Sequence, residues 1–364
     1  MSKRILLIGP LPDPTTGLSL SNQVLVDQWS AQPEKMDLDY INTSIDIFDE
    51  AVGQFSLLKA RKNLELWAKF PKIRKADVVY MTIGQSFMGV LKFSLFVAVA
   101  SLLGKKKVFH LHGNMLLDNY QEFSGWKRFL ARQVLKAGNK SLVLSPSLKR
   151  NFLPFMPESQ IEVQHNFIEG NLILTPAEIE KKLINIQGVR LVFLSNLMTE
   201  KGIFYFLEAI GLLKEKGIKI EVRIAGNTDP LLKDRLLAEM GSHSEIEYLG
   251  VVRGEKKKDL LLWGNMFVFP SYFREGLPLS ILEAMATGNA VISTRHTSLE
   301  DYFDQESISY VDQQNAEQIA DAIVALNEKE ESKRLEVLRK NWEYTKELTV
   351  ENFCQGVEQK ISIS

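Results

Sequence analysis

The sequence predicts an α/β protein made of two successive doubly wound, Rossmann-like units. Three observations carry that expectation. The chain has 364 residues, 45% of them hydrophobic and 24% charged, an ordinary globular composition with enough length for two cores. Short β-branched runs alternate with longer helical patterns and no tight hairpin turns separate them, which implies parallel strands joined by crossover helices. The alternation pauses near residue 170 and restarts near residue 189. The expected division is a first domain over 1–170, a second over 171–345 and a C-terminal helix in 346–364 that returns to the first domain.

In the first unit, residues 4–8, 38–41, 78–82, 107–110 and 141–144 read as strands, and 18–29, 56–70, 88–103 and 126–137 as the helices around them. In the second, strands are expected at 189–195, 218–225, 246–249, 266–269 and 290–293. A helix from Gly202 and others at 230–240, 256–263 and 278–287 separate them. The polar stretch 167–187 reads as a linker, and 316–346, charged with apolar residues at helical spacing, as one or two surface helices.

The net charge of −1 hides an asymmetry. Residues 1–170 hold 21 Lys and Arg against 15 Asp and Glu, whereas the remainder holds 23 against 30. Positive charge gathers at Lys59, Arg61 and Lys62, at Lys69 to Lys75, at Lys105 to Lys107 and at Lys127, Arg128, Arg132 and Lys136. Such clusters suit an anionic membrane surface, an acidic substrate or solvent alone. The single cysteine, Cys354, cannot form an internal disulfide, so the expected compartment is the cytoplasm. The apolar run after Met1 is too short for a signal peptide, and 93–103 is too short to span a bilayer, so any membrane contact is expected to be peripheral, at the inner face.

In open α/β sheets ligands bind beyond the carboxyl ends of the strands, so the loops there are the ones to examine; the expected site is a cleft between the two domains. The first such loop, Gly9 to Gly17, enters a helix and lets backbone approach an anion through Gly17. It lacks the G-x-G-x-x-G fingerprint. After the fourth strand comes His110-Leu-His112-Gly113-Asn114, where alternation sends both histidines to one side and only His112 passes the strand end. With five histidines, one cysteine and no H-E-x-x-H, no metal site is expected. Ser195-Asn196-Leu-Met-Thr-Glu-Lys201-Gly202 puts a lysine at a helix start, against the helix dipole but well suited to clamp a diphosphate. The most specific segment is 270–293, where Arg274-Glu275-Gly276-Leu277-Pro278 leads into a helix carrying Glu283 and ending at Gly288.

That segment resembles the E-x7-E motif of retaining GT-B glycosyltransferases of family 4, with Glu275 and Glu283 at the acidic positions. Lys201-Gly202, the Gly17 loop, His112 and Asn166-Phe-Ile meet the same pattern in order. The resemblance implies a GT-B fold and a nucleotide-diphosphate sugar donor, UDP- or GDP-linked, with no required cofactor or metal. It assigns catalytic roles to His112, Lys201 and Glu275. Donor contacts fall to Gly17, Asn196, Gly226, Val252, Arg253, Gly276, Leu277, Pro278 and Glu283. His110, Asn114, Arg274 and Arg295 fall on the acceptor side. Two departures stand out: the family's arginine five residues before the lysine is Asn196, and a frequent Gly-Gly pair is His296-Thr297. Arg295 or Arg274 is expected to restore the charge.

The implied function is transfer of a sugar to a glycan or lipid-linked glycan in surface polysaccharide synthesis. A nucleotide-sugar epimerase, a glycoside phosphorylase and a non-catalytic two-domain binder share the fold class. The E-x7-E string speaks against the first two and the missing export signal against the third. Nucleic acid is not an expected partner, because no reader motif accompanies the basic clusters.

Overall fold

The computed structural model describes residues 3–13, 15–44, 65–185 and 188–362. Most of the helix expected at 56–70, with Lys59, Arg61 and Lys62, lies outside them. The chain forms two compact units, one of Met1–Asn166 with Arg274–Leu277 and Glu351–Ser364, the other of Phe167–Phe273 with Pro278–Val350.

The first unit runs β1 (Lys3–Gly9), α1 (Gly17–Ser30), β2 (Met36–Asn42), β3 (Val78–Thr82), α2 (Phe87–Leu102), β4 (Lys106–Leu111), α3 (Leu116–Glu122), α4 (Gly125–Lys136), β5 (Lys140–Val143) and β6 (Ile161–Val163). Its parallel sheet has the order β2-β1-β3-β4-β5-β6. All five residues of β3 are buried, as a strand covered by helices on both faces requires. Thr16 caps α1 in a box with Ser19, which fixes where the helix leaves the Gly9–Gly17 loop.

The second unit contains α5 (Pro176–Ile184), β7 (Val189–Leu194), α6 (Ile203–Glu215), β8 (Ile220–Ala225), α7 (Lys233–Gly241), β9 (Ile246–Tyr248), α8 (Glu255–Trp263), β10 (Met266–Phe269), α9 (Leu279–Ala286), β11 (Ala290–Thr294), β12 (Ile308–Val311), α10 (Ala316–Glu328) and α11 (Glu331–Thr345). The sheet order is β12-β11-β10-β7-β8-β9, again all parallel. Phe193, Phe206, Ile210, Val268, Ile292 and Ile323 lie in one core.

Of the stretch expected as a linker, the described residues 167–185 hold a helix of the second core. Thr175 and Glu178 form a capping box, and Ile179 and Leu183 of α5 enter the second core. Strands β6 and β12 and helix α3, of 3, 4 and 7 residues, were also unexpected. The last helix, α12 (Val350–Ser362), packs in the first unit from Glu351 onward: Trp29 donates to Glu358 at 2.9 Å and the ammonium groups of Lys3 and Lys106 reach the carbonyl of Ile361 at 3.0 and 2.9 Å. Lysines at the end of a helix meet the carbonyls that have no intrahelical donor.

Candidate active site

In the second sheet the chain builds outward from β7, to β8 and β9 on one side and to β10 and β11 on the other. The reversal point lies between β7 and β10, and the crevice at their carboxyl ends is where such sheets bind ligands. Both of the most informative sequence segments emerge there. The loop after β7 carries exposed Asn196 and a 3-10 turn, Thr199–Lys201, which ends on Gly202 at φ +78°. A Cβ at Gly202 would sit 2.2 Å from the Pro270 carbonyl oxygen, so both its dihedral and its surroundings demand glycine. The amides of Tyr272 and Phe273 donate to the Glu200 carbonyl at 2.9 and 3.0 Å, locking the loop after β10 to the loop after β7. Lys201 Nζ lies over the rings of Phe269 and Phe273, 5.8 and 5.0 Å from their centroids.

The neighbouring turn carries three of the expected donor contacts, Gly226, Val252 and Arg253. Gly226, at φ +147°, donates to the Gly250 carbonyl at 2.8 Å, and a Cβ there would fall 1.7 Å from the Ser195 carbonyl. Tyr248 Oη donates to the Gly226 carbonyl at 3.0 Å. Val252 is half-buried and Arg253 exposed on the turn beyond.

Pro278 opens α9 in extended conformation and Gly288, at φ +70°, follows its last turn. Glu283 is buried on this helix. Lys257 Nζ, from α8, lies 2.8 Å from Glu283 Oε1 and also pairs with Glu169. Burial pushes the Glu283 carboxyl above its ordinary range, against the pull of Lys257. Burial also works against the Lys257 charge, but the carboxylates of Glu283 and Glu169 hold it above its usual value. Neither Lys257 nor Glu169 carries a sequence signal, since the pairing arises only when α8 packs beside α9.

The first unit gathers the remaining expected residues except Arg295, which belongs to the second. Gly113 forms an antiparallel bridge with Glu275. A Cβ at Gly276 would meet the His112 carbonyl oxygen at 2.2 Å, so glycine lets the two segments touch. Asn166 Nδ2 donates to the Leu277 carbonyl at 2.8 Å, which gives the Asn-Phe-Ile match a concrete task. His112 is partly buried, its Nε2 sealed from solvent without a hydrogen-bond partner, and burial depresses its pKa to about 3. The imidazole is therefore neutral at physiological pH.

His110 lies beneath His112, ring centroids 4.1 Å apart, on the side that strand alternation predicts. It is a fully buried core residue bonded to Tyr80 Oη. Asn114 receives Arg150 through Nε and Nη2 at 3.2 and 3.0 Å, and Asp118 pairs with both Arg150 and Arg274. Arg295 pairs with Glu300 at 2.8 Å and lies over the Tyr310 ring. The charge that Arg274 or Arg295 was expected to supply is thus shared with a carboxylate in each case. Gly17 is exposed at the first position of α1. Among the described residues no three His, Cys, Asp or Glu side chains are grouped to hold a metal ion.

The two-sheet arrangement is that of the GT-B fold. The structure of Anabaena HepE in complex with UDP superposes with a TM-score of 0.73 at 13% identity, over 99% of each chain. A sucrose-phosphate synthase from Thermosynechococcus elongatus gives 0.70 at 16%, over 98% of each. Within this fold, residues 188–329 match the family described as Glycosyl transferases group 1. An uncharacterized glycosyltransferase of Methanocaldococcus jannaschii is 24% identical over 244 residues, which cover 64% of this chain and 61% of that one. The putative teichuronic acid biosynthesis glycosyltransferase TuaC of Bacillus subtilis is 29% identical over 164 residues, 45% of this chain and 39% of that one. The matched regions thus span under two thirds of the length of these curated relatives.

Proposed function

We propose that the protein is a retaining glycosyltransferase of family 4 that moves a sugar from a nucleoside diphosphate to a glycan or lipid-linked glycan acceptor in surface polysaccharide synthesis. One observation carries the reading: Lys201 and the E-x7-E segment leave the two strands, β7 and β10, at which the second sheet reverses. A diphosphate there meets a lysine and the N-terminal ends of α6 and α9, the combination that anion binding favours. The UDP found in HepE and the biosynthetic roles named for the relatives support a uridine donor and a polysaccharide product.

In this reading Glu283 bonds the ribose, Glu275 the sugar hydroxyls, and the amides following Gly276 the diphosphate. Lys201 neutralises the diphosphate as it leaves, the largest charge to develop. Neutral His112 faces the sugar as a hydrogen-bonding partner. The acceptor oxygen attacks the anomeric carbon on the face the diphosphate vacates; one C–O bond forms as the other breaks, and the acceptor proton passes to a phosphate oxygen. The step needs no metal, and the donor places the protein in the cytoplasm.

Thermal unfolding of the wild type, Lys201→Ala and Glu283→Ala against UDP, GDP and unrelated anions tests the reading. Ligand at 100 times its Kd adds about 2.7 kcal/mol to stability. We expect UDP to stabilise the wild type, the response to vanish in Glu283→Ala and to weaken in Lys201→Ala. A folded wild type unmoved by either nucleotide overturns the proposal.

A further inference from the structure

The first unit has an outer surface that the proposed chemistry does not use. Strands β3, β4 and β5 are consecutive neighbours, so right-handed crossovers place α2 and α4 side by side on one face of the sheet. Their first turns touch, with Trp126 edge-on to Phe87 at 5.2 Å. Helix α4 turns Ala131, Val134 and Leu135 inward. Its opposite side presents Trp126 and Phe129, each 65% exposed, and on α2 the last residue, Leu102, is 86% exposed. Two large aromatic side chains on one exposed helical stripe are unusual for a surface that meets only water. Residues three and seven positions beyond Phe129 are Arg132 and Lys136, both exposed, and Arg128 is exposed beside them. No Asp or Glu occurs between Gly125 and Lys136.

We propose that this face of α4 is a docking surface for an anionic lipid bilayer. Aromatic rings at headgroup depth flanked by cations that meet lipid phosphates are the composition of an interfacial helix. A second copy of the chain is a poor occupant. A two-fold contact sets the stripe against itself, cation facing cation. The proposal deepens the reading of the acceptor as lipid-linked by naming the surface that brings the protein to it, yet its test measures binding without turnover.

The full-length protein is sedimented with vesicles of phosphatidylcholine alone and of equal parts phosphatidylcholine and phosphatidylglycerol. The wild type is expected to pellet with the anionic vesicles only, and to be released at about 1 M salt, where the Debye length is about 3 Å. Trp126→Ser/Phe129→Ser should abolish pelleting at every salt concentration. Arg128→Gln/Arg132→Gln should weaken it roughly thirtyfold, at about fivefold per basic side chain. All four positions are exposed, and an unchanged thermal unfolding curve with UDP shows that each variant is folded. Wild type left in the supernatant, variants that pellet like wild type, or binding to single-stranded RNA in preference to anionic vesicles overturns the proposal. A dimer that the Trp126 substitution splits does so too. Vesicle binding without a UDP response would sink the donor assignment and leave this one standing.

Discussion

Lys257 Nζ lies 2.8 Å from Oε1 of Glu283, and the same ammonium reaches Glu169, so one buried cation holds two carboxylates. Burial favours the neutral form of the Glu283 carboxyl and raises its pKa, while the charge of Lys257 pulls the other way. Removing the cation leaves Glu283 buried without its counter-charge. Lys257→Met should cost roughly 3–5 kcal/mol by urea denaturation at pH 7. Glu283→Gln added to it should recover part of that loss. A carboxyl whose folded pKa is raised destabilises the fold above that pKa, so the deficit should shrink as the pH falls through it. A deficit that grows toward acid would show that Lys257 does not act through the carboxylates.

Gly202 and Gly276, like Gly226, hold the site loops at distances that no Cβ permits. A Cβ at Gly202 or Gly276 would meet a backbone carbonyl oxygen at 2.2 Å, from Pro270 and His112 respectively. Alanine at either position should cost roughly 1–3 kcal/mol and weaken the UDP response. Gly211, inside α6, has nothing within 4 Å of the same added atom. Gly211→Ala should therefore stabilise by about 0.5–1 kcal/mol. Equal effects at all three would mean that the close contacts carry no strain.

How far these features were legible in advance depends on how local their causes are. Strand β3 and helices α1 and α6 announce themselves because a few contiguous residues set their periodicity, and Lys201-Gly202 and Glu275-x7-Glu283 are legible as strings. Lys257 is not, because its partners lie 26 and 88 residues away along the chain. Arg274 meets Asp118 across 156 residues, a pairing that no local pattern encodes. His110 shows the limit of alternation, which gave the correct side of β4 but not the depth beneath Tyr80 and Phe353. Strand order is equally silent in the sequence, and it is the order that brings the two motif loops to one reversal point.

His112 links the site to pH. Its folded pKa, depressed by burial from 6.5 to about 3, means that the unfolded chain takes up the proton first. The stability this residue contributes is complete above pH 6.5 and is lost as the pH falls toward 3. Relative to His112→Gln, which cannot titrate, the wild type should lose about 1.4 kcal/mol per pH unit below that point. Parallel stability curves for the two proteins between pH 7 and pH 4 would rule this out.

Lys201 separates binding from chemistry. Its ammonium is braced by the rings of Phe269 and Phe273 and stands at the start of α6, where a lysine opposes the helix dipole. Lys201→Met keeps an unbranched apolar stem against the two rings, so stability without ligand should stay within about 1 kcal/mol of wild type. If the lysine meets charge that grows as the diphosphate departs, the substitution should lower kcat by roughly 100- to 1,000-fold and weaken donor affinity less. Lys201→Arg keeps the charge but enlarges the head group, so it should recover part of kcat. A Lys201→Met enzyme whose KM rises while kcat holds would make the lysine a uniform binding contact and remove it from the transition state.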